Sequence, residues 1–198
     1  MGIVCKDDLK ITGGTYSITA ASKSIQANDS VRIADGTFIL TAGTDGIHVE
    51  NNDNDTLGYL YIGGGSFTVR AGDDALHATS LIQIDDGELE ITAKEGMEGT
   101  YIQINDGNLR IHAQDDGINA AHKSTGFTPT AEINGGLVII RMDSGDGDAI
   151  DSNGNIIIRG GTVEITAGSS FDYDGSAWFN GGKVIVNGQQ LDAIPHQS

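Results

Sequence analysis

Apolar and polar residues alternate along the chain in short runs that recur around a Gly turn. Eight aligned units each hold a strand-like run, a turn and a second run, as in IQIDDGELEITA and IQINDGNLRIHA. The two inward positions of the first run are apolar in every unit: Leu9/Ile11, Val31/Ile33, Leu60/Ile62, Ile82/Ile84, Ile102/Ile104, Ala131/Ile133, Ile156/Ile158 and Ala177/Phe179. Alternation with a period of two is typical of β-strands with one buried face. The pattern predicts an all-β chain with at least two strands in each unit.

The turns recur at intervals of 20 to 29 residues, marked by Gly14, Gly36, Gly65, Gly87, Gly107, Gly136, Gly161 and Gly182. A repeat of this length without a helical segment is typical of a β-solenoid, in which a unit buries its apolar face only by stacking on its neighbours. The Asp-Gly and Gly-Gly pairs are also hairpin signals, but a meander of hairpins does not explain a third segment in the units. We predict a single-domain parallel β-helix of about eight coils over residues 1–198. The repeats occupy about 2–188, and 189–198 form a C-terminal tail.

The third segment of each unit carries two columns of polar residues around one inward apolar position. The inward residues are Ile25, Ile47, Leu76, Met97, Ile118 and Ile150. A carboxylate column precedes them, formed by Asp45, Asp74, Glu95, Asp116 and Asp148, with Asp73 and Asp115 alongside. A second column directly follows them, formed by His48, His77, Glu98, Asn119 and Asp151. Equivalent residues stack about 5 Å apart in a parallel solenoid, so these side chains are expected to line one edge.

The chain has a large excess of negative charge, which bears on what that edge can bind. There are 28 Asp and Glu residues against 11 Lys and Arg, a formal net charge of -17. Such a chain repels nucleic-acid backbones and anionic membrane surfaces, so neither partner is expected. Adjacent stacked carboxylates at an effective dielectric near 20 repel by about 3 kcal/mol per pair, and a hard cation removes that repulsion.

Calcium suits the predicted edge because it accepts six to eight oxygens in flexible geometry. Asp and Gly could instead form plain turns, although Glu95 and Glu98 are poor turn residues. We expect more than one calcium ion, with ligands among Asp45, Asp73, Asp74, Glu95, Glu98, Asp115, Asp116, Asn119, Asp148 and Asp151. Calcium prefers oxygen, so His48 and His77 are expected to be solvated strand residues rather than ligands.

Two further features narrow the class of protein. Cys5 is the only cysteine, so no internal disulfide is expected. No stretch is long and apolar enough to predict a transmembrane span or a signal peptide.

The segments DGIHV, DDALHA, KEGMEG, DDGINA, GDAIDSNG and DYDG resemble those of calcium-containing β-helix carbohydrate-binding proteins, described as polysaccharide-lyase-like, from cellulose-degrading bacteria. The resemblance covers residues 2 to about 188. It implies a right-handed, pectate-lyase-like parallel β-helix, several calcium ions, an extracellular or cell-surface location, and binding to cellulose or to acidic sugars such as polygalacturonate. Two positions differ from the pattern of that family. Lys94 takes the place of the aromatic residue that usually precedes Glu95, and Ala75 takes the place of a favoured Gly.

Three functional readings remain open from the sequence. The chain is a binding module, a calcium-dependent polysaccharide lyase, or a calcium-stiffened structural or adhesin rod. A lyase needs a Lys or Arg base beside calcium, and Lys94 is the candidate, although ion pairs with Asp73 and Asp115 would raise its pKa away from that role.

A binding module needs exposed aromatic and polar side chains for sugar rings. Tyr59, Phe127, Lys94 and His77 are the candidates. Tyr61 and Trp178 are also predicted to face outward, but they lie five coils apart and so do not form one platform. Two long insertions at 50–58 and 121–130 leave the same corner of the solenoid, where they are expected to form two walls of a groove roughly 14 Å wide. They could equally be tolerated insertions without a role.

Overall fold

A computed structural model describes residues 1–145 and 147–195, and the last three residues of the predicted tail lie outside this range. Strands are numbered β1 to β25 along the chain and form three sheets, and the described residues contain no helix. Sheet 1 consists of β1 (Ile3–Val4), β4 (Ile25–Ala27), β7 (Ile47–Val49), β10 (Asp74–Ala78), β13 (Glu95–Gly99), β16 (Ile118–Ala120), β19 (Asp148–Ser152) and β22 (Ser169–Tyr173).

Sheets 2 and 3 carry the two strands that surround each Gly turn. Sheet 2 consists of β2 (Asp8–Ile11), β5 (Ser30–Ile33), β8 (Tyr59–Ile62), β11 (Leu81–Ile84), β14 (Tyr101–Ile104), β17 (Thr130–Ile133), β20 (Asn155–Ile158) and β23 (Ala177–Phe179). Sheet 3 consists of β3 (Thr15–Ala20), β6 (Thr37–Ala42), β9 (Ser66–Ala71), β12 (Glu88–Ala93), β15 (Asn108–Ala113), β18 (Leu137–Met142), β21 (Thr162–Thr166), β24 (Lys183–Val186) and β25 (Gln189–Leu191).

Every pairing from coil to coil is parallel and in register, for example Leu76 beside Met97 in sheet 1 and Ile82 beside Ile102 in sheet 2. The chain is therefore the predicted all-β parallel β-helix of about eight coils. Its core is one continuous stack of the inward residues, and all six predicted inward positions of sheet 1 are buried. Most of the inward residues that keep some exposure, such as Leu9 and Phe179, belong to the first and last coils.

The Gly turns make corners between sheets 2 and 3 rather than hairpins. All eight marker glycines adopt positive φ, between 76° and 137°, a region that residues with a Cβ rarely enter. At Gly107 a Cβ would also lie 2.7 Å from the carbonyl oxygen of Gly87 in the preceding coil. The same residue type thus satisfies both the turn and the close stacking of coils.

The beginning of the predicted tail adds the one antiparallel pairing among the described strands. Asn187 and Gly188, at φ 50° and 81°, form a tight turn that folds β25 back on β24. Asn-Gly is the preferred sequence for such a turn, and β25 covers the otherwise open edge of sheet 3.

None of the described residues forms a helix long and apolar enough to cross a membrane.

Candidate functional site

The two polar columns of sheet 1 stack as the sequence predicts, and we call them together the acidic column. His77 pairs in register with His48 on one side and Glu98 on the other, and Asn119 pairs with Glu98 and Asp151. These residues alternate with the buried apolar positions, so their side chains share the outer edge of the sheet. The column continues to Asp172, which the sequence alignment did not single out.

At its N-terminal end the acidic column has its own cations. The Asp45 carboxylate lies 2.7 Å from His48 Nδ1 and 3.7 Å from Lys23 Nζ. Burial alone would raise the pKa of Asp45, but the contact with His48, assisted by Lys23, lowers it below its ordinary value. The expectation that His48 is solvated is wrong, because only 6% of the residue is exposed.

The next two coils are neutralised by His77 and by a lysine from an insertion. His77 Nδ1 lies 2.8 Å from Asp74 and 2.9 Å from Glu98, and Lys123 Nζ lies 2.7 Å from the other oxygen of Glu98. Burial opposes ionisation of His77, yet the bonds to Asp74 and Glu98 raise its pKa to about 9. Burial likewise opposes ionisation of Glu98, but His77 and Lys123 lower its pKa to about 2.

His77 is 7% exposed, so it too is buried rather than solvated. Its ring offers no free face to a sugar and is unsuited to the sugar-contact role expected from the sequence. Lys123 is the functional cation that sequence reasoning missed, although it is the only lysine of the second insertion.

The C-terminal part of the acidic column has no such neutralisation. In the described part of the chain, no Lys, Arg or His lies in ion-pair contact with Glu95, Asp116, Asp148 or Asp151. Burial, followed by repulsion from neighbouring carboxylates, raises the pKa of Glu95 and of Asp151 to about 7. The pKa of Asp116 is raised for the same reasons. These partly buried groups have a large electrostatic reason to bind a cation.

Asn119, in this part of the column, has a buried amide oxygen without a protein partner in the described part of the chain. Its Nδ2 donates to Glu95 Oε2 at 3.1 Å, whereas its buried Oδ1 has no hydrogen-bond partner among the described residues. A buried oxygen without a partner carries a desolvation cost. Its position beside Glu95 and Asp151 matches the oxygen-only coordination that calcium prefers.

Among the described residues, no three of these carboxylates have oxygen atoms within 4.8 Å of one another. The two groups that contain His, nearer the N-terminal end of the column, do have ligand atoms that close. Asp148 is also engaged locally, since it accepts a bond from the Ser169 hydroxyl and its backbone N–H donates to Asp116 Oδ1 at 2.9 Å. Mutual repulsion keeps such groups apart when no cation is bound between them. Glu95, Asp116, Asn119, Asp148 and Asp151 are therefore the side chains that fit a calcium ion by chemistry and place.

Two of the expected ligands, Asp73 and Asp115, lie on the exposed rim of the column. Lys94 Nζ lies 3.7 Å from Asp73 and 3.5 Å from Asp115, as the alignment predicts. Asp73 is the first cause of a raised pKa at Lys94, and Asp115 adds to it. A Brønsted base needs a lowered pKa, so this arrangement works against the lyase role considered for Lys94.

The two insertions touch rather than stand apart. The backbone N–H of Thr125 donates to Asp55 Oδ2 at 2.7 Å, joining 50–58 to 121–130. The open groove between separate walls, predicted from the sequence, is therefore wrong. The joined insertions form a single wall, and a shallow depression beside Phe127 is lined by Lys123, Ser124 and Pro129.

Phe127 is the most prominent aromatic side chain on that wall. It is 42% exposed, and its ring packs at 60° to Tyr101 with the centroids 5.6 Å apart. Tyr59 is half-buried at the start of β8, after the first insertion. The wall thus presents one aromatic face next to the lysine that reaches Glu98, which places aromatic, cationic and acidic groups close together.

Comparison with known proteins agrees with the repeated architecture. A family model described as "Carbohydrate-binding domain-containing protein" matches the chain twice, over residues 1–101 and 93–193. The second match begins about four coils after the first, so the same pattern recurs in successive sets of coils. No curated protein and no solved structure matches the chain. Because the two matches together span nearly the whole sequence, the chain belongs to this family of carbohydrate-binding domain-containing proteins.

Proposed function

We propose that the chain is an extracellular, calcium-dependent, non-catalytic module that binds plant cell-wall polysaccharide, either cellulose or acidic pectic sugar such as polygalacturonate. Membership of a carbohydrate-binding family carries the polysaccharide part of the proposal. The partnerless Asn119 Oδ1 among unneutralised carboxylates carries the calcium part.

Bound calcium would attract an acidic sugar electrostatically. A chain of net charge -17 repels a polyuronate, and bound cations reverse the local sign of the field at the acidic column. Lys94, half-exposed on the rim, adds a cation that a sugar carboxylate could share with Asp73 and Asp115. Calcium therefore has two roles in this proposal, which are holding the coils together and making the edge attractive to uronates.

Affinity electrophoresis tests the dependence on calcium. The protein is run through gels that contain polygalacturonate or soluble cellulose derivatives, with calcium or with EDTA. We expect retardation in at least one gel with calcium and its loss with EDTA. Equal mobility in all the gels would refute the proposal, and release of unsaturated uronate in the same samples would assign the lyase activity instead.

Phe127 is proposed as the ring on which a sugar stacks. Replacing it in Phe127→Ala should weaken polysaccharide binding by about 2- to 10-fold, the range expected for one aromatic contact. Trp178→Ala is a matched control, because Trp178 is 44% exposed but lies on β23 in the last coil. If Trp178→Ala weakens binding and Phe127→Ala does not, the sugar lies elsewhere on the rod.

A further inference from the structure

His48 and His77 form a stacked pair that calcium chemistry does not explain. Their ring centroids lie 4.5 Å apart and the planes differ by 13°. Each Nδ1 lies against the carboxylate three residues earlier, Asp45 at 2.7 Å and Asp74 at 2.8 Å. The two rings are therefore oriented alike, and both Nε2 atoms emerge on the same side of the pair.

Glu50 reaches that same side from the end of β7. Its Oε2 lies 3.2 Å from His48 Nε2. One ligand atom from each of His48, Glu50 and His77 falls within 4.8 Å of the others. Two imidazole nitrogens and one carboxylate oxygen thus lie close together, although the stacked rings direct their lone pairs in parallel.

Outer carboxylates orient His77, and one lies against His48. Metal-bound His commonly gives its other ring nitrogen to a carboxylate, which fixes the tautomer and strengthens the ligand. His77 Nδ1 is engaged by Asp74 and Glu98, so a metal would bind at Nε2 in place of the proton that the charged ring carries there. His48 Nδ1 is buried and, despite its short distance to Asp45, is not aligned for a hydrogen bond within the described residues.

We propose that His48 Nε2, His77 Nε2 and Glu50 form a binding site for a divalent cation that prefers imidazole, of which Zn²⁺ is the representative. Two His and one Glu are a common three-ligand set for zinc, with the fourth position open to water or another oxygen ligand. Because the two rings are nearly parallel, each must rotate about its side-chain bonds before both nitrogens point at one ion. Bound zinc would also pair with the carboxylate of the partly exposed Glu50.

This site is separate in chemistry and place from the proposed calcium site. Its residues lie on β7 and β10 or directly after β7, whereas the proposed calcium ligands lie on β13, β16 and β19 or shortly before β16. Calcium binds imidazole poorly. The zinc site can therefore be tested separately from the calcium proposal.

Equilibrium dialysis with Zn²⁺ in the presence of excess Ca²⁺ tests the inference. The chelator-treated full chain is dialysed against zinc, and bound metals are counted by mass spectrometry. We expect about one high-affinity zinc per chain that calcium does not displace. His48→Gln, His77→Gln and Glu50→Gln should each weaken zinc binding by at least about 10-fold, and Glu50→Gln should leave the calcium stoichiometry unchanged.

His112→Gln is the matched control. His112 pairs with Asp143 on the exposed face of sheet 3, so it tests whether any surface His–carboxylate pair captures zinc. Glu50→Gln provides a second variant that leaves the buried rings in place. Circular dichroism verifies that each variant retains its β structure.

The visible spectrum of Co²⁺ bound to the unmodified chain gives a readout that needs no variant. Nitrogen ligation in a four-coordinate site should appear as intense ligand-field bands, which His77→Gln or Glu50→Gln removes. The inference is overturned if zinc binding is lost equally in His112→Gln, if calcium displaces the zinc, or if the cobalt spectrum shows only oxygen ligation.

Discussion

Asn119 joins the two chemical halves of the acidic column. Its amide nitrogen is bonded to Glu95, while its buried Oδ1 faces a region of carboxylates without a cation among the described residues. On the N-terminal side, His77 and Lys123 neutralise Glu98. The difference between adjacent coils therefore arises from single residues rather than from the backbone, whose register is constant.

Asp151→Asn should change stability in opposite directions with and without calcium. In EDTA the substitution removes repulsion between Asp151 and its neighbours Asp116 and Asp172, so the melting temperature should rise. A gain on the order of 1 kcal/mol corresponds to about 2–4 °C for a chain of this size. With calcium the variant loses a ligand and should melt below the wild type. Scanning calorimetry of both proteins in both buffers checks this, with Glu90→Gln on the exposed face of sheet 3 as control.

The calcium-free protein should become less stable as pH rises from about 6 to 8. Glu95 and Asp151 have folded pKa values of about 7, raised by burial and then by repulsion. The native state binds more protons than the unfolded state between the ordinary carboxyl pKa and about 7, so stability falls with rising pH over that interval and levels off once the native carboxyls have ionised. His77, with a folded pKa of about 9, acts in the same direction because its stabilisation is lost as pH rises through 9.

Urea unfolding at several pH values in EDTA measures this dependence. Calcium should reduce the part of this pH dependence that arises from the carboxylates. A Glu95→Gln, Asp151→Asn double variant should show the same reduction without calcium. A stability that rises with pH across this window in EDTA would contradict the account of the column.

At the level of elements, small residues in the strands of sheet 1 let neighbouring coils pack closely. A Cβ on Gly96 would lie 2.3 Å from the carbonyl oxygen of Gly117 and 2.6 Å from Ile111 Cγ2. Glycine at this position of β13 therefore allows one coil to approach the next. Elsewhere in the column Ala75 and Ala149 fill the equivalent positions and are completely buried.

Gly96→Ala should destabilise the protein by roughly 1–3 kcal/mol, the usual cost of forcing an extra methyl group into a packed region. Gly13→Ala is a matched control, because a Cβ there meets no atom within 4 Å. Chemical denaturation compares the two variants with the wild type. Equal stabilities for the two variants would mean that the packing around Gly96 is looser than the coil-to-coil distances indicate.

The insertions show where prediction from sequence reaches its limit. Alternation and Gly spacing correctly predict the coils, the inward residues and the stacked columns, because those features repeat in every unit. The contact between Thr125 and Asp55 joins residues 70 positions apart and has no repeat to reveal it. The reach of Lys123 to Glu98 and the burial of His48 and His77 depend on such non-repeating contacts, so neither was predicted.

Across the whole molecule, the net charge of -17 is distributed unevenly rather than spread over the surface. His77 and Lys123 lie at Glu98 towards one end of the acidic column. Towards the other end, the partly buried Glu95 and Asp151 have no such partner among the described residues and have raised pKa values. One continuous parallel core supports both ends. The two proposed metal sites would thus share a single edge of the β-helix, next to the aromatic wall proposed for sugar binding.

Calorimetric titration of calcium into the chelator-treated protein tests the central claim most directly. The account predicts saturable calcium binding to the wild type, and loss of at least one site in the Asp116→Asn, Asp151→Asn double variant. His112→Gln should retain the full stoichiometry. Absence of calcium binding to the wild type, or the same stoichiometry in the double variant, would contradict the assignment of calcium to this part of the column.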